Sequence, residues 1–141
     1  MIVRSLQDII GTERDVKAEN GNWESRRLLL NNDALGFSLH DTIIHAGTET
    51  LIWYKHHLEA VYCIEGEGEV ETTENGKIYP IKAGTVYALN GNERHLLRAH
   101  STMRMVCVFT PALTGREVHD ENGVYPLIED ETPAPKRRAA S

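Results

Sequence analysis

The stretch YKHHLEAVYCIEGEGEVE, residues 54–71, places two histidines and a glutamate before an apolar run and ends in alternating Gly and Glu. In an uninterrupted strand, alternate side chains lie on one face. One such face consists of Trp53, Lys55, His57, Glu59, Val61 and Cys63. The stretch therefore predicts a strand whose inner face carries polar side chains of the kinds that bind metals.

On both sides of this stretch, short apolar runs alternate with turn-forming residues. The runs are NWESRRLLL, GFSLHDTIIHAG, ETLIWYKH, EAVYCIEGEGEVET, GKIYPIKAGTVYAL and MRMVCVFTPAL. Several separators, such as ENGK and NGNE, contain the Asn and Gly residues typical of hairpin turns. Strands at this spacing predict an all-β sandwich or barrel. Residues 4–12 are expected to form only a short N-terminal helix or turn.

Length and charge limit the possible partners. The chain has 141 residues and a formal net charge of −6. We predict a single domain over residues 1–127 and a flexible C-terminal tail over residues 128–141. Nucleic-acid binding needs a basic face, and the basic cluster Lys136–Arg138 lies in that tail. No apolar run approaches the ~20 residues of a membrane helix, so neither nucleic acid nor membrane is expected as a partner.

The cysteines indicate a reducing compartment. Cys63 and Cys107 both lie in apolar, strand-like runs, which favours free thiols over a disulfide scaffold. The first residues also lack the basic lead and apolar core of a secretory signal. The sequence therefore predicts a cytoplasmic protein without disulfides.

Other predicted strands also carry polar groups on faces expected to point inward. Those faces pair His40 with Thr42, Tyr87 with Leu89, and Cys107 with Met105 and Phe109. A surface with Glu, Tyr, Thr and Cys is too polar for a dry core but is typical of a ligand cavity with a few converging polar groups. The pattern predicts a barrel with an interior binding site.

The region from Gly47 to Gly66 resembles the first motif of cupins, which are β-barrels of the jelly-roll type. Glu59 falls on the motif's glutamate ligand. Trp53 and Lys55 occupy the two positions at which cupins carry histidine ligands, so the two adjacent histidines of the opening stretch fall outside the motif. The resemblance implies a cupin with an altered metal site, and it argues against an iron oxygenase, which usually needs two histidines and a carboxylate.

The second cupin motif matches at Gly84 and His95, while Asn90 and Asn92 replace its Pro and Gly. One carboxylate and one imidazole hold a metal poorly, so a third ligand is needed. Tyr87 lies three residues after Gly84 with inward parity, and it is either that ligand or a tyrosine that only lines the barrel. Such oxygen and nitrogen donors suit divalent iron, zinc or manganese.

The body of the chain, about residues 1–127, resembles the ectoine synthase family. The resemblance rests on YKHHLEAV, EGEGEVE and PALTGREVH, which are specific in combination, and on shorter matches such as GKIYPIKAG. It implies an Fe(II)-dependent cupin that acts in the cytoplasm as a homodimer. It also implies the reaction, the closure of N4-acetyl-L-2,4-diaminobutyrate into the osmolyte ectoine with loss of water.

The same resemblance implies roles for individual residues. The metal ligands fall on Glu59, Tyr87 and His95. The substrate-binding residues fall on Trp23, Arg27, Thr42, Cys107 and Phe109, and the catalytic residues on Tyr54, Glu117 and His119. The chain departs from the family at His40, where relatives carry Asn. Whether His40 replaces the hydrogen bond of that amide or only borders the pocket is open.

The implied chemistry explains these residue types. A metal ion would polarise the weakly electrophilic acetamide carbonyl, and Arg27 offers a planar fork for the substrate's carboxylate. Glu117 and His119 are candidates for proton transfer, because both lie on one face if their segment is extended. Plain structural roles remain the alternatives, such as a surface position for Arg27. At the level of the whole protein, the alternative is a non-catalytic cupin that binds a small polar ligand.

Overall fold

The computed structural model describes residues 1–120 and 123–127. The strands in these residues are β1 Asp15–Lys17, β2 Trp23–Leu29, β3 Ser38–Ile44, β4 Glu49–Ile52, β5 Leu58–Glu65, β6 Glu67–Thr72, β7 Lys77–Lys82, β8 Val86–Leu89, β9 His95–Ala99 and β10 Met103–Thr110. Two short 3₁₀ helices span Leu6–Asp8 and Asn31–Asp33. The first of them confirms the short helix or turn predicted for residues 4–12.

The strands form two antiparallel sheets that enclose the core. One has six strands in the order β1-β2-β3-β10-β5-β8, and the other has four in the order β4-β9-β6-β7. The core contains Val61 and Met105 from the six-stranded sheet and Val70 and Leu97 from the four-stranded sheet, all buried. This architecture confirms the all-β barrel predicted from the sequence.

Register in the six-stranded sheet sets the candidate functional side chains in one row. The paired positions run Arg27, His40, Cys107, Val61 and Tyr87, from β2 across β3, β10 and β5 to β8. Paired residues of neighbouring strands lie side by side on one face. The row therefore crosses the inner face of the sheet as the strand parities predicted.

Each predicted apolar run contains at least one strand, and the runs EAVYCIEGEGEVET and GKIYPIKAGTVYAL contain two each. The break between β5 and β6 is at Gly66, which has φ +88. A Cβ at this position would lie 2.2 Å from the carbonyl oxygen of Thr102. Only glycine fits such a close backbone approach at a positive φ. The short strand β1 and strand β9 were not predicted.

The prediction that Trp53 and Lys55 share the inner face of a strand with Glu59 is wrong. Strand β4 ends at Ile52, because the backbone N–H of Trp53 donates to the carbonyl of Gly123 instead of continuing the sheet. Lys55 is exposed, and its Nζ lies 4.1 Å from the centre of the Trp53 ring. These two positions therefore supply no ligand to the barrel interior.

Both cysteines are free and buried, as predicted. No helix in the described part of the chain has the length and apolar character needed to span a membrane. The division into a domain over residues 1–127 and a tail over residues 128–141 stays a prediction, since residues 128–141 lie outside the described part.

Candidate active site

A cavity of about 40 Å³ lies inside the barrel, between the two sheets. Most of the side chains proposed for the site contribute to its wall, namely Trp23, Thr42, Tyr54, Glu59, Tyr87, Cys107, Phe109 and His119. Arg27, His95 and Glu117 do not line the cavity, although all three are buried beside it. The fold thus brings the predicted residues together around one interior space, while their individual roles stay predictions.

The candidate metal ligands come from both sheets. Glu59 on β5 and Tyr87 on β8 belong to neighbouring strands, whereas His95 opens β9 on the opposite sheet. Nδ1 of His95 lies 2.9 Å from the carbonyl oxygen of Glu93, so it carries the proton and donates. Nε2 is buried and has no hydrogen-bond partner among the described residues. A metal-binding histidine usually has one ring nitrogen fixed by a hydrogen bond and a lone pair available on the other, as His95 does.

Within residues 1–120 and 123–127, no group of three or more His, Cys, Asp or Glu side chains is arranged to hold a metal ion. Glu59 and His95 supply only two donors of these kinds. A third donor would have to come from another residue type, and the phenol of Tyr87, which lines the same cavity as Glu59, is the predicted candidate. The donor set fits a divalent cation only if that phenol ionises.

Burial keeps these donors neutral when no cation is present. It raises the pKa of Glu59 to about 8, against a smaller opposing effect of the Cys107 thiol that hydrogen-bonds to it. Burial also raises the pKa of Tyr87 well above 10, with the nearby Glu59 adding to the effect, and lowers that of His95. A bound cation reverses this preference, so metal binding must release protons from the site.

Arg27 forms a buried cationic end beside the cavity. Its Nε donates to Ser25 Oγ at 3.3 Å, and Nη2 donates to the backbone carbonyl of Glu117 at 2.9 Å. Nη1 is buried without a partner among the described residues. A guanidinium group keeps its charge in proteins, and a buried charge without a counter-ion is costly. This corner of the site therefore favours an anion.

Tyr54 and His119 form a hydrogen-bonded pair in the cavity wall, with the Tyr54 hydroxyl 3.0 Å from Nε2 of His119. Burial, with a smaller contribution from the positive charge of Arg27, lowers the pKa of His119 to about 3. Burial raises the pKa of Tyr54 well above 10. The imidazole is therefore neutral at pH 7, and its tautomer sets which of the two groups donates in this hydrogen bond.

Glu117 is buried, but its carboxylate binds its own loop. It accepts hydrogen bonds from the backbone N–H and hydroxyl of Thr114, at 2.9–3.0 Å, and from the N–H of Gly115, at 3.0 Å. These contacts close the turn that follows β10. A direct part for Glu117 in catalysis stays a prediction.

The segment after β10 supplies a residue that the sequence did not reveal. Tyr125 stacks on Tyr54 with ring centres 4.9 Å apart, and it contacts His119 at 4.5 Å. Gly123 anchors this segment: it has φ +74, and a Cβ there would lie 1.9 Å from the carbonyl oxygen of Leu51. Tyr125 thus forms a roof over the cavity. The irregular run GVYPL carries no strand or helix period, so no sequence pattern pointed to it.

Ser25 was also not singled out, although the alternation of β2 places it on the same face as Arg27. It lines the cavity together with His40. His57, one of the two histidines that fall outside the cupin motif, is buried, and its ring meets Phe109 and Tyr125 edge-on at 6.3 and 6.5 Å. A parity argument applied to every strand finds Ser25, whereas the position of His57 depends on the loop before β5.

Comparison with known proteins gives consistent matches over almost the whole chain. The family model described as "Ectoine synthase" matches residues 1–129. An L-ectoine synthase of Halalkalibacterium halodurans is 66% identical over 131 residues, which is 93% of this chain and 100% of the relative. The crystal structure of ectoine synthase from P. lautus superimposes with a TM-score of 0.81 at 59% identity, covering 100% of this chain and 98% of that one.

A more distant structure supports the fold alone. An RmlC-like cupin from Shewanella frigidimarina matches with a TM-score of 0.58 at 19% identity, over 73% of this chain and 88% of that one. At this identity the likeness says nothing about substrate or metal. It confirms that the two sheets form a cupin barrel.

Proposed function

From the premise that this chain belongs to the ectoine synthase family, we propose that it closes N4-acetyl-L-2,4-diaminobutyrate into ectoine with loss of water. The protein is then an enzyme of the lyase class, a carbon–oxygen hydro-lyase that makes a compatible solute. Relatives at 55–66% identity, each aligned over most of its length, carry the name L-ectoine synthase.

The observation that carries the proposal is the pairing of two unsatisfied groups around one cavity. Among the residues that the structure describes, Nη1 of Arg27 is a buried donor without an acceptor, and Nε2 of His95 is a buried nitrogen without a donor. The proposed substrate has a carboxylate for the first group. It also has an acetamide carbonyl for a metal ion bound at the second. One substrate molecule could thus interact with Arg27 through its carboxylate and with the metal ion at His95 through its carbonyl.

Glu59, Tyr87 and His95 would hold the metal, for which we propose Fe(II), while zinc and manganese suit the same donors. When bound, the ion supplies Lewis acidity that polarises the acetamide carbonyl. Trp23 and Phe109 form apolar walls that favour a folded substrate, which brings its amine close to that carbonyl. The polar ends and apolar walls together select a short, flexible zwitterion.

The proton balance of the reaction is closed within the site. The substrate's α-ammonium group loses two protons as its nitrogen bonds to the carbonyl carbon, and the carbonyl oxygen leaves with both as water. The acid–base groups of the site therefore accept protons from the ammonium group and donate the same number to the leaving oxygen. His119 is neutral and hydrogen-bonded to Tyr54, so this pair is the proposed shuttle. A carboxylate bound at Arg27 would offset one of the charges that depress the pKa of His119 and so make it a better base.

Access to the site requires a movement. A cavity of about 40 Å³ holds only a few water molecules, which is less than the proposed substrate needs. Trp23 and His119 line both this cavity and an outer cleft of about 340 Å³. Their ring centres are 5.1 Å apart. We propose that the substrate enters between these two rings when the side chains of His119 and Tyr125 shift.

We also propose that the protein works as a homodimer in the cytoplasm. The outer face of the six-stranded sheet exposes Leu58, Tyr62 and Val86 to 41%, 47% and 64%. Neighbouring apolar side chains on a sheet surface are typical of association sites. The free thiols of Cys63 and Cys107 agree with a reducing compartment.

The test is conversion of N4-acetyl-L-2,4-diaminobutyrate by chelator-stripped protein under anaerobic conditions, followed by proton NMR. Ectoine is expected only after Fe(II) is restored, with Zn(II) and Mn(II) as parallel arms that identify the preferred metal. Substrate that binds to folded, metal-loaded protein without turnover would overturn the proposal in favour of the non-catalytic binding protein. Turnover without any metal would overturn the metal role alone.

A further inference from the structure

His40 lies at the centre of a buried polar chain, and the proposed reaction assigns it no role. Its side chain is 1% exposed and lines the cavity, with the ring centre 5.0 Å from that of Phe109. Nδ1 lies 3.0 Å from Ser25 Oγ, and Nε2 lies 3.1 Å from Ser38 Oγ. Both ring nitrogens are therefore engaged by serines, and the ring offers the cavity only carbon surface.

The hydrogen bonds in this chain have one consistent direction. Ser25 Oγ accepts from Nε of Arg27, which leaves its own proton for Nδ1 of His40. Burial and the charge of Arg27 keep the pKa of His40 well below 6.5, so the ring is neutral and carries its proton on Nε2. That proton goes to Ser38 Oγ, which also accepts from the backbone N–H of Leu113 at 3.1 Å. The chain therefore runs from the guanidinium of Arg27 to the backbone beyond β10.

We propose that His40 is a positioning residue that fixes Arg27 through Ser25, so that Nη1 remains aimed at the substrate's carboxylate. This inference rests on the proposed function, since it takes the carboxylate as the ligand of Arg27. The guanidinium has two described acceptors, Ser25 Oγ and the carbonyl of Glu117. Without His40 the Ser25 hydroxyl is free to rotate, and one of the two anchors of Arg27 loosens.

The assignment explains why a histidine occupies this position without contacting substrate through nitrogen. His40 pairs with Arg27 on β2 and with Cys107 on β10, so its ring fills the space between them on the inner face. A residue that only filled this space would need no nitrogen at all. The hydrogen bonds of His40 to a serine on each side indicate that the ring controls the orientation of Ser25. Through Ser25 it also controls the orientation of Arg27.

The experiment compares the natural substrate with N-acetyl-1,3-diaminopropane, which is the same molecule without its carboxylate. His40→Phe keeps a ring and removes both nitrogens. We expect its KM for the substrate to rise about tenfold, the usual effect of weakening a hydrogen bond to a charged group, with kcat nearly unchanged. The inhibition constant of N-acetyl-1,3-diaminopropane should stay the same. His40→Asn keeps an acceptor for Ser25 and should restore most of the wild-type KM.

An unchanged KM in His40→Phe, or equal weakening of both compounds, would overturn the positioning role. If His40→Phe does not fold, Ser25→Ala replaces it, because this change cuts the same link and should give the same split between the two compounds. Wild-type turnover is measured alongside and reports on the proposed function separately. If wild-type protein binds without turnover, calorimetric affinities for the two compounds replace the kinetic constants, so the positioning role is still decided.

Discussion

The two sheets enclose the same cavity with opposite distributions of polarity. The six-stranded sheet points Arg27, Glu59 and Tyr87 inward, while its outer face exposes apolar residues such as Val86. The four-stranded sheet points Val70, Ile81 and Leu97 inward, and its outer face carries Arg98 in ion pairs with Glu49, Glu69 and Glu71. The smaller sheet is an ordinary amphipathic layer that stabilises the fold. The larger sheet instead places the candidate site on its inner face, which in most sheets only stabilises the fold.

The largest expected effect tests this division directly. Glu59→Ala should lower activity by at least about 1,000-fold, because the metal proposed to polarise the carbonyl would be lost. Iron content by mass spectrometry and ectoine by NMR measure both effects, and circular dichroism checks the fold. Glu69→Ala, on the outer face of the other sheet, is the matched control and should retain activity. Full iron content in Glu59→Ala would remove Glu59 from the ligand set.

The second effect is on stability and depends on pH. The pKa of Glu59 is about 8 in the folded, metal-free protein, against about 4.5 for an ordinary Glu side chain. Between these values the unfolded chain releases the proton that the folded chain keeps. The free energy of unfolding therefore falls as pH rises from about 4.5 to about 8, by up to a few kcal/mol at ~1.4 kcal/mol per pH unit.

Urea unfolding in the presence of chelator, at pH 5 and pH 7.5, measures that slope. Metal-free Glu59→Gln should lack the Glu59 contribution and become more stable than wild type as pH rises. Added Fe(II) should stabilise wild type and leave the variant unchanged. Glu67→Gln, at an exposed position of β6, is the control and should follow wild type. Equal slopes for wild type and Glu59→Gln would show that Glu59 is already ionised without metal.

The third effect is smaller and separates ligation from packing. Tyr87→Phe removes only the phenolic oxygen and should weaken iron binding by at least about tenfold, as disturbances of metal-supporting groups usually do. Tyr79→Phe, at an exposed tyrosine of the four-stranded sheet, should leave iron binding intact. Competition with a chromogenic chelator gives both affinities. A wild-type affinity in Tyr87→Phe would reduce Tyr87 to a residue that lines the barrel.

The smallest effect is expected on the outer face of the four-stranded sheet. Arg98→Ala removes three ion pairs, yet it should shift the urea midpoint only slightly, because ion pairs that stay partly open to solvent contribute little. The shift should disappear at high salt, where such pairs are screened. A large loss that salt does not change would mean that this network holds the sheet together.

The sequence predicted the parts of the site that lie on regular strands. Alternation along β5, β8 and β10 gave the inward directions of Glu59, Tyr87 and Cys107, since a strand fixes them with a period of two. The same argument failed at Trp53, because no sequence signal marked the end of β4. The backbone there is held by long-range contacts, including two hydrogen bonds from the Asn92 side chain to the carbonyls of Tyr54 and His57.

Asn92 also shows why a changed motif residue need not change the structure. It stands where the second cupin motif has a glycine, and it adopts φ 54. Asn tolerates this left-handed conformation better than most residues do. One acceptor of Arg27 could not be predicted for a different reason. It is the backbone carbonyl of Glu117, and every residue type has such a carbonyl. Tyr125 and the size of the cavity depend likewise on how distant segments pack.

The anchoring of Gly123 has a consequence for the order in which the protein is assembled. Residues 123–125 follow every described strand in the chain, so a ribosome releases them after the complete barrel sequence. Until Gly123 seats against Leu51, nothing from this segment covers the interior. We expect a newly made barrel to take up its metal ion while the route to Glu59 and His95 is open. Tyr125 would then close over a centre that is already loaded.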